Sequence, residues 1–415
     1  MSIIRSQSND GRVSLGQEVH GLIATSHWRR WSVGYVLVQL PTTMTFVAFV
    51  ISGQHITGSM GSGVRLAAIT TVLSGLSAPL TSRAMDRNGV ALGIRISCVV
   101  SAVVLLAIAV MGAASGGIVA VIALAAAYGV ASSSIAGGYR ALLPRVVLQH
   151  QVPSASALEP ALTQLAFVIG PALAGLSAAV AGALSPLALM STCLLLSGVL
   201  TYGISHHDRH ERGVENKVRK VWRRLSARVS YGLTVCVAVA AGLTQAALPS
   251  RLAEAGLRTE LVGVLLAVQA VGAAIASVVM GRRIFLSRYP FRYVIGLLWM
   301  AGITAVGLVH ASSSITLALV MMVLGIPLGL LYAINMMLLQ ASVPRHQQAE
   351  GFATLLALSA LGVGLGQAAG GSLIEIASSY VALLCGGGAF VLATLLPYHA
   401  SRRNVLLRPI WTQNR

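Results

Sequence analysis

Long apolar runs separated by short polar links dominate the chain. A membrane-crossing helix needs about 20 mostly apolar residues to cross about 30 Å of hydrocarbon. Runs of this kind predict twelve such helices, here called spans 1 to 12. They begin near Trp31, Met60, Val90, Gly117, Leu158, Ser185, Val229, Leu261, Tyr293, Ser312, Phe352 and Ser379, and the last ends near Leu396. The predicted fold class is therefore an all-α integral membrane protein with twelve transmembrane helices.

One hydrophilic stretch is much longer than the other links. It covers residues 205–228 and carries eight Lys or Arg against three acids. This position predicts a six-helix bundle over 31–204, a basic linker on anionic lipid headgroups, and a second six-helix bundle over 229–398. Residues 1–30 and 399–415 are predicted to be polar tails on the same side of the membrane.

Composition and charge agree with a membrane protein. Hydrophobic residues make up 56% of the chain and charged residues only 10%, whereas soluble domains carry about 25% charge. The net charge of +18 comes from bases in the links, which argues against a nucleic-acid partner. Cytoplasmic loops retain positive charge, and only Arg65, Arg251 and Arg258 fall on the opposite side. The sequence predicts a multi-pass protein of the inner (plasma) membrane with both termini cytoplasmic.

The two predicted bundles align with each other at an offset of 196 residues. His150 and Gln151 meet His346 and Gln347, and Gly129 meets Gly325. Such a match indicates two pseudo-repeated six-helix bundles, with a binding site between them near the bilayer midplane. Two halves rocking about a shared interface would expose that site to one side at a time.

The link between spans 2 and 3 runs from Ala78 to Gly89. Pro79 and Gly89 predict a tight turn, and Asp86 stands between Arg83 and Arg87. The acid can form charge pairs with these bases or bind a helix N-terminus. An ordinary charged turn is the alternative.

Small residues are concentrated in spans 5 and 11. Span 5 contains Gly170, Pro171 and Gly175, and span 11 has Gln367 in place of the proline. Glycines at this spacing let helices approach closely, and a proline permits a kink. Simple helix packing is the alternative to a functional motif. The span 11 glycines at the corresponding spacing are Gly366, Gly370 and Gly371.

These two segments resemble the signatures of the major facilitator superfamily (MFS). Asp86, Arg87 and Gly89 match its Asp-Arg-x-Gly loop, while Ser82 replaces a glycine and Val90-Ala91 stand where bases are common. The resemblance implies that the loop latches the two halves on the cytoplasmic side. The residues that inherit this gating role are Arg83, Asp86, Arg87 and Gly89.

Span 5 is similar to the antiporter signature of the same superfamily, with Ala166 and Ala174 replacing two glycines. That resemblance implies efflux, with protons as the expected coupling ion. An arginine common in span 4 of proton-coupled relatives corresponds here to Ala125, so the coupling residue does not carry over. The candidates for coupling are Glu159 and Asp86, with a structural ion pair as the alternative for Glu159.

Neutral polar residues at midspan are candidates to line a central cavity, with interhelical hydrogen bonding as the alternative for each. They are Gln39, Thr43, Tyr128, Gln164, Gln245, Gln269, Tyr332 and Asn335. Because the predicted central spans 1, 4, 7 and 10 hold no fixed charge, the sequence favours a neutral or cationic substrate.

Together these features predict a monomeric secondary transporter that exports a small organic molecule, needs no cofactor or metal, and is not an enzyme. An importer of a sugar, amino acid or osmolyte would share the fold. A non-transporting membrane sensor is the alternative from another class. No phosphate-binding loop or catalytic constellation in the sequence supports an enzyme.

Overall fold

A computed structural model describes residues 25–114, 117–148, 151–203, 225–285, 290–342 and 348–402. Most of the predicted N-terminal tail, the linker up to residue 224 and the predicted C-terminal tail from residue 403 lie outside the described residues. The His-Gln pairs of the repeat also fall partly outside them.

The described residues fold into fourteen α-helices and one short 3₁₀ turn, Thr201–Gly203. The first half holds α1 Ser26–Thr57, α2 Met60–Asn88, α3 Val90–Ala113, α4 Ile118–Ser132, α5 Ile135–Val146, α6 Val152–Ala181 and α7 Ser185–Leu200. The second half holds α8 Leu225–Glu254, α9 Leu261–Phe285, α10 Pro290–Gly307, α11 Ser314–Ser342, α12 Gln348–Ile376, α13 Ser379–Leu392 and α14 Leu395–Arg402.

Nine helical segments are long and apolar enough to cross a membrane, within the described part of the chain. One of them, Ile118–Val146, combines α4 and α5, and three further apolar segments are shorter: Ser185–Leu200, Leu261–Ser277 and Arg292–Gly307. Every predicted span coincides with one of these segments. The all-helical membrane class is confirmed, and the number of twelve crossings stays a prediction.

Helices α1 and α2 illustrate how the sequence sets the turns. Gly58 ends α1 with φ 71°, a left-handed conformation that glycine adopts without steric cost. The Ser59 hydroxyl accepts a hydrogen bond from the Ser62 amide and so caps α2. The chain therefore reverses direction within two residues.

The two halves share one packing pattern. In the first half α1 packs on α6, α2 on α4 and α3 on α7, and in the second half α8 packs on α12, α9 on α11 and α10 on α13. Gly129 and Gly325, which align in the sequence, both press against a neighbouring backbone, at Thr70 and at Gln269 respectively. The pseudo-repeat is thus visible in the contacts as well as in the sequence.

The ends of the helices define two faces of the bundle. We call the face with Ser26, Asn88 and Val152 the base, and the face with Thr57, Met60 and Glu254 the top. The two halves meet along two helix pairs, α2 with α12 and α6 with α9. These pairs flank the space between the halves.

Candidate functional site

A buried polar cluster lies between helices α1, α5 and α6, in the part of the first half nearer the base. The Arg140 guanidinium binds the Glu159 carboxylate at 2.8 Å between Nε and Oε1. The Tyr35 hydroxyl donates a short hydrogen bond to the same carboxylate oxygen. It also accepts hydrogen bonds from Gln39 at 3.1 Å and from Arg140 at 3.2 Å, and Thr163 lies within 2.9 Å of it. We call these five residues the Glu159 cluster.

The cluster holds one acid and one base in a mostly enclosed place. The Glu159 side chain is 16% exposed and that of Arg140 is 37% exposed. A buried ion pair is costly to break because its partner is left without compensation. Loss of either charge would leave the other group without its partner, so Glu159 and Arg140 depend on each other.

The predicted absence of charge from the central spans is wrong at this point. Helix α4 ends at Ser132, and the chain continues as α5, which carries Arg140. The sequence pattern assigns Arg140 to a cytoplasmic link, whereas the structure turns its guanidinium towards α1 and α6. Glu159 neutralises it, so the site as a whole carries no net charge.

Tyr332 connects this cluster electrostatically with the second half. It lies on α11, its side chain is half exposed, and it interacts electrostatically with both Arg140 and Glu159. The space between the halves therefore joins a residue of α11 to the charged pair of the first half. Of the predicted cavity residues, Gln39 and Tyr332 lie at this place.

The other predicted cavity residues are distributed over both halves. Gln164 is partly exposed on α6, and Gln245 accepts a hydrogen bond from Gln367 at 3.3 Å. The Gln269 side chain is partly exposed. Tyr128 is buried and packs on Phe49, with ring centroids 5.7 Å apart, which places it in the core of the first half.

Asn335 and Thr43 both connect helices. Ser230 donates to Asn335 at 2.5 Å and Asn335 donates to Thr234 at 2.5 Å, which ties α8 to α11. Thr43 donates to the carbonyl of Ala166 at 3.0 Å and ties α1 to α6. These bonds fit the alternative of interhelical hydrogen bonding.

The small-residue motifs of α6 and α12 make equivalent contacts. Gly170 packs against Thr43 of α1, and its repeat partner Gly366 packs against Val239 and Gly242 of α8. Each pair lies within one half. The absence of side chains at these two positions lets the helices of each half touch backbone to backbone.

Further along both helices, the glycines contact the opposite half. Gly175 packs against Glu260 and Gly263 of α9, and Gly371 packs against Gly61 and Val64 of α2. Gly370 faces Ala246 of α8, within its own half. The halves therefore approach most closely where glycines remove side chains, towards the top.

An ion pair joins the two halves at the top. Arg65 of α2 and Glu375 of α12 lie 2.5 Å apart, with side chains 45% and 32% exposed. Ser59 also donates to Glu375. We call this pair the top latch. The sequence locates both residues near the outer ends of their spans but does not show that they meet, because hydropathy carries no information on which spans are neighbours.

A second charged network anchors the top of α8. Arg251 is buried, donates to the carbonyl oxygens of Leu308, Val309 and Ala311, and lies 3.6 Å from Glu254. Glu254 in turn accepts a hydrogen bond from Ser379 at 2.6 Å. This network fixes the top of α8 to the ends of α10 and α13.

The predicted gating segment is helical rather than a turn. Helix α2 continues through Pro79 to Asn88, so the expected tight turn from Ala78 is wrong. Only Gly89 separates α2 from α3. Its φ of 95° is a conformation that glycine adopts without steric cost, which explains why a glycine stands at this position. A proline is tolerated within a membrane helix when neighbouring groups satisfy the freed carbonyl.

The charged residues of this segment are exposed at the base. Arg83, Asp86 and Arg87 all face outward from α2, and among the described residues no ion pair of Asp86 is found. Contacts between α2 and α12 extend from Gly61 down to Gly75, which meets Leu361. The halves are therefore joined at the top and through the middle, and the gating residues stand below this contact.

Comparison with known proteins identifies the class of molecule. Two helical bundles meet along paired helices, and the polar cluster lies in the first of them. The sequence profile of the Major Facilitator Superfamily matches residues 31–246, and the chain belongs to this family.

Solved transporters share the fold. The nucleoside transporter NupG is 12% identical in sequence and superposes with a TM-score of 0.68. The alignment covers 90% of this chain and 99% of the NupG chain. A bacterial homologue of the iron transporter ferroportin, in an inward-facing state, is 15% identical and superposes with a TM-score of 0.63. That alignment covers 88% of this chain and 98% of the homologue. A search of curated protein sequences finds no match. At these identities the likeness concerns the fold alone.

Proposed function

We propose that this transporter is a proton-driven exporter of a small neutral or cationic organic molecule, in which Glu159 is the proton-carrying group. The observation that carries the proposal is the Glu159 cluster. It holds a carboxylate and an arginine between three helices, and both interact electrostatically with Tyr332 of the second half. Ionisable groups inside membrane segments are costly and are commonly functional.

The distribution of bases supports an orientation with the base in the cytoplasm. Arg83, Arg87 and Arg95 lie towards the base, whereas Arg65 and Arg251 lie towards the top. Positively charged segments remain cytoplasmic. In this orientation the described arrangement opens to the cytoplasm, and the protein works in the inner membrane with both termini inside.

The contacts between the halves support an alternating-access cycle. The top latch and the glycine contacts close the top, whereas among the described residues the exposed Asp86 segment forms no such closure at the base. In the opposite state the latch breaks, and Asp86 and Arg87 join the halves at the base. Protonation of Glu159 releases Arg140, and this change in the first half favours one state over the other.

The charges around the central space support the substrate class. Glu159 compensates Arg140, so among the described residues of the cluster no unpaired base is available for an anionic substrate. When Glu159 is deprotonated, a cationic substrate that displaces Arg140 can bind its carboxylate in competition with the proton, and the amides of Gln164 and Gln245 offer neutral hydrogen bonds. The span 5 signature favours export over import of such a molecule, and a single chain is enough for the cycle.

Purified protein in liposomes tests the proposal. Tetraphenylphosphonium serves as a cationic probe and chloramphenicol as a neutral one, under an imposed pH gradient. Wild-type protein should accumulate at least one probe against its gradient, with measurable counterflow of protons. Glu159→Gln should abolish gradient-driven accumulation while retaining exchange of the probe down its own gradient.

Glu260→Gln is the matched control, because Glu260 lies at the top in a pair with Arg258 at 3.6 Å. It should retain gradient-driven accumulation. Unchanged proton coupling in Glu159→Gln would overturn the assignment of Glu159. If the wild-type protein transports a probe at a rate that does not depend on the pH gradient, proton coupling itself is overturned.

A further inference from the structure

An apolar groove runs along the first half, beside the Glu159 cluster. Two adjoining cavities of about 270 and 250 Å³ share Ser32 and Leu162 and together form it. We call this the α1–α6 groove. Its lining consists of Trp28, Arg29, Ser32, Val33, Val36, Leu37, Leu158, Ala161 and Leu162. Apart from Arg29 and Ser32, all of these side chains are apolar.

The groove lies on a different face of α1 from the cluster. Residues of an α-helix advance by about 100° each, so Val33 and Leu37 are each about 200° from Tyr35. Tyr35 points into the cluster, and Val33 is 52% exposed. The groove therefore opens on the exposed side of α1, away from the Tyr35 side chain.

The length of the groove matches one leaflet of a bilayer. Trp28 and Leu37 are nine residues apart on α1, which corresponds to about 14 Å at 1.5 Å per residue. Half of the hydrocarbon thickness is about 15 Å. An apolar groove of this length, parallel to a membrane helix and beginning at the base, has the dimensions of a single acyl chain.

The charge at the mouth of the groove selects among lipids. Arg29 is exposed at the base end of the lining, and no carboxylate in the described parts of the chain forms an ion pair with it. The neighbouring Trp28 is buried and walls the same end. A guanidinium at headgroup depth binds a phosphate most favourably when the headgroup carries no compensating cation.

We propose that the α1–α6 groove binds an anionic phospholipid, with one acyl chain between α1 and α6 and the headgroup phosphate on Arg29. On α6, Leu158 and Leu162 line the groove, while the adjacent Glu159 and Thr163 belong to the cluster. A bound lipid thus fixes the position of α6. If the proposed function holds, the lipid also tunes proton coupling.

Lipid retention measured by native mass spectrometry tests the site without any transport assay. The full-length protein is equilibrated with equal amounts of phosphatidylglycerol and phosphatidylcholine of identical acyl chains. One arginine near the membrane surface corresponds to about a fivefold preference for the anionic lipid. The wild type should show this preference, and Arg29→Gln should lose it. Arg30→Gln is the matched control because Arg30 is exposed but does not line the groove.

Val36→Trp provides a second test, because the larger side chain fills the groove. It should reduce retention of both lipids. Equal preference in Arg29→Gln and wild type, or unchanged retention in Val36→Trp, would place the lipid elsewhere and overturn the proposal. Lipid retention is measured without any transport. A failure of the proton-coupling experiment would therefore not affect the outcome of this one.

Discussion

Arg65 and Glu375 come from opposite halves of the protein and meet at 2.5 Å at the top. They lie more than 300 positions apart in the chain, yet one ion pair joins α2 to α12. Beside the pair, Gly61 gives Glu375 room to approach. The contact therefore joins the two halves and is not part of the fold of either one.

Glu375→Gln should shift the protein towards the state open at the top. The pair is partly exposed, and such pairs contribute about 0.2 to 1 kcal/mol, so the ratio of the two states should change about 1.5- to 5-fold. Labelling of a cysteine introduced at Ser82, which is exposed near the base, measures the shift in a background without the native cysteines. The charge reversal Arg65→Glu with Glu375→Arg should restore the wild-type labelling rate. A double variant no better than the single one would contradict a latch.

Gly175→Leu should prevent closure of the top. A side chain at this position meets the backbone of Glu260 and Gly263 on the opposite half. Overpacking of this kind costs about 1 to 3 kcal/mol, which corresponds to a 5- to 150-fold shift between states. Transport in liposomes should fall accordingly. Gly388→Leu is the control because nothing lies within 4 Å of a Cβ at Gly388, and equal effects of the two substitutions would refute the interpretation.

Tyr35→Phe should change the pH dependence of transport. The lost hydroxyl leaves Glu159 without one of its donors and Gln39 without one of its acceptors, which costs about 1 to 3 kcal/mol. Tyr139→Phe is a matched control, since its hydroxyl bonds Ser197 at 2.7 Å within the core. Both variants should lose thermal stability. Only Tyr35→Phe should shift the pH profile of transport. If the pH profile shifts equally in Tyr35→Phe and Tyr139→Phe, the role of Tyr35 is purely structural.

Asp86→Asn should impair transport without removing the protein from the membrane. The side chain is exposed at the base in the described state, so its proposed pairing belongs to the base-closed state and its loss should slow closure. Flux is compared at equal protein density in the bilayer. Asn88→Ser, two residues further and also exposed, should behave as the wild type. Normal flux through Asp86→Asn would remove the gate assignment.

Arg251→Gln should lower the thermal stability of the purified protein. The substitution leaves Glu254 and three backbone carbonyls without their guanidinium. Breaking a fully buried pair costs about 3 to 5 kcal/mol, and the 35% exposure of Glu254 reduces the expected loss to about 2 to 3 kcal/mol. Arg258→Gln, at a side chain 70% exposed, should change the melting temperature little. A comparable loss in both would contradict an anchoring role.

Hydropathy was sufficient to predict the positions of the helices. Helices begin at Met60, Val90, Ser185, Leu261 and Ser379, at the predicted positions, because a membrane helix must satisfy its backbone within a continuous apolar segment. The gating segment was predicted less well. Its charged residues suggested a link, but a helix can extend beyond the hydrocarbon into the headgroup region and keep such residues on its surface.

The Glu159 cluster was only partly predictable. Glu159 and Gln39 were identified because a polar residue in an apolar run is conspicuous. The sequence pattern assigns Arg140 to a link, because it does not reveal that α5 continues α4 and packs against α1 and α6. Tyr35 lies in an aromatic stretch that hydropathy treats as apolar. What distinguishes these residues is their tertiary proximity, and a single sequence contains no record of it.

The aromatic stack of α1 gives the protein an intrinsic optical probe. Trp31 lies parallel to Tyr35, with ring centroids 5.1 Å apart and an angle of 6°, and Trp28 stacks on the other side of Trp31 at 5.1 Å. Tyr35 in turn holds the Glu159 carboxylate. The indole of Trp31 is therefore one ring away from the group proposed to carry the proton. If the proposed function holds, a rearrangement of that group should change the fluorescence of a native tryptophan, so the cycle could be followed without attaching a dye.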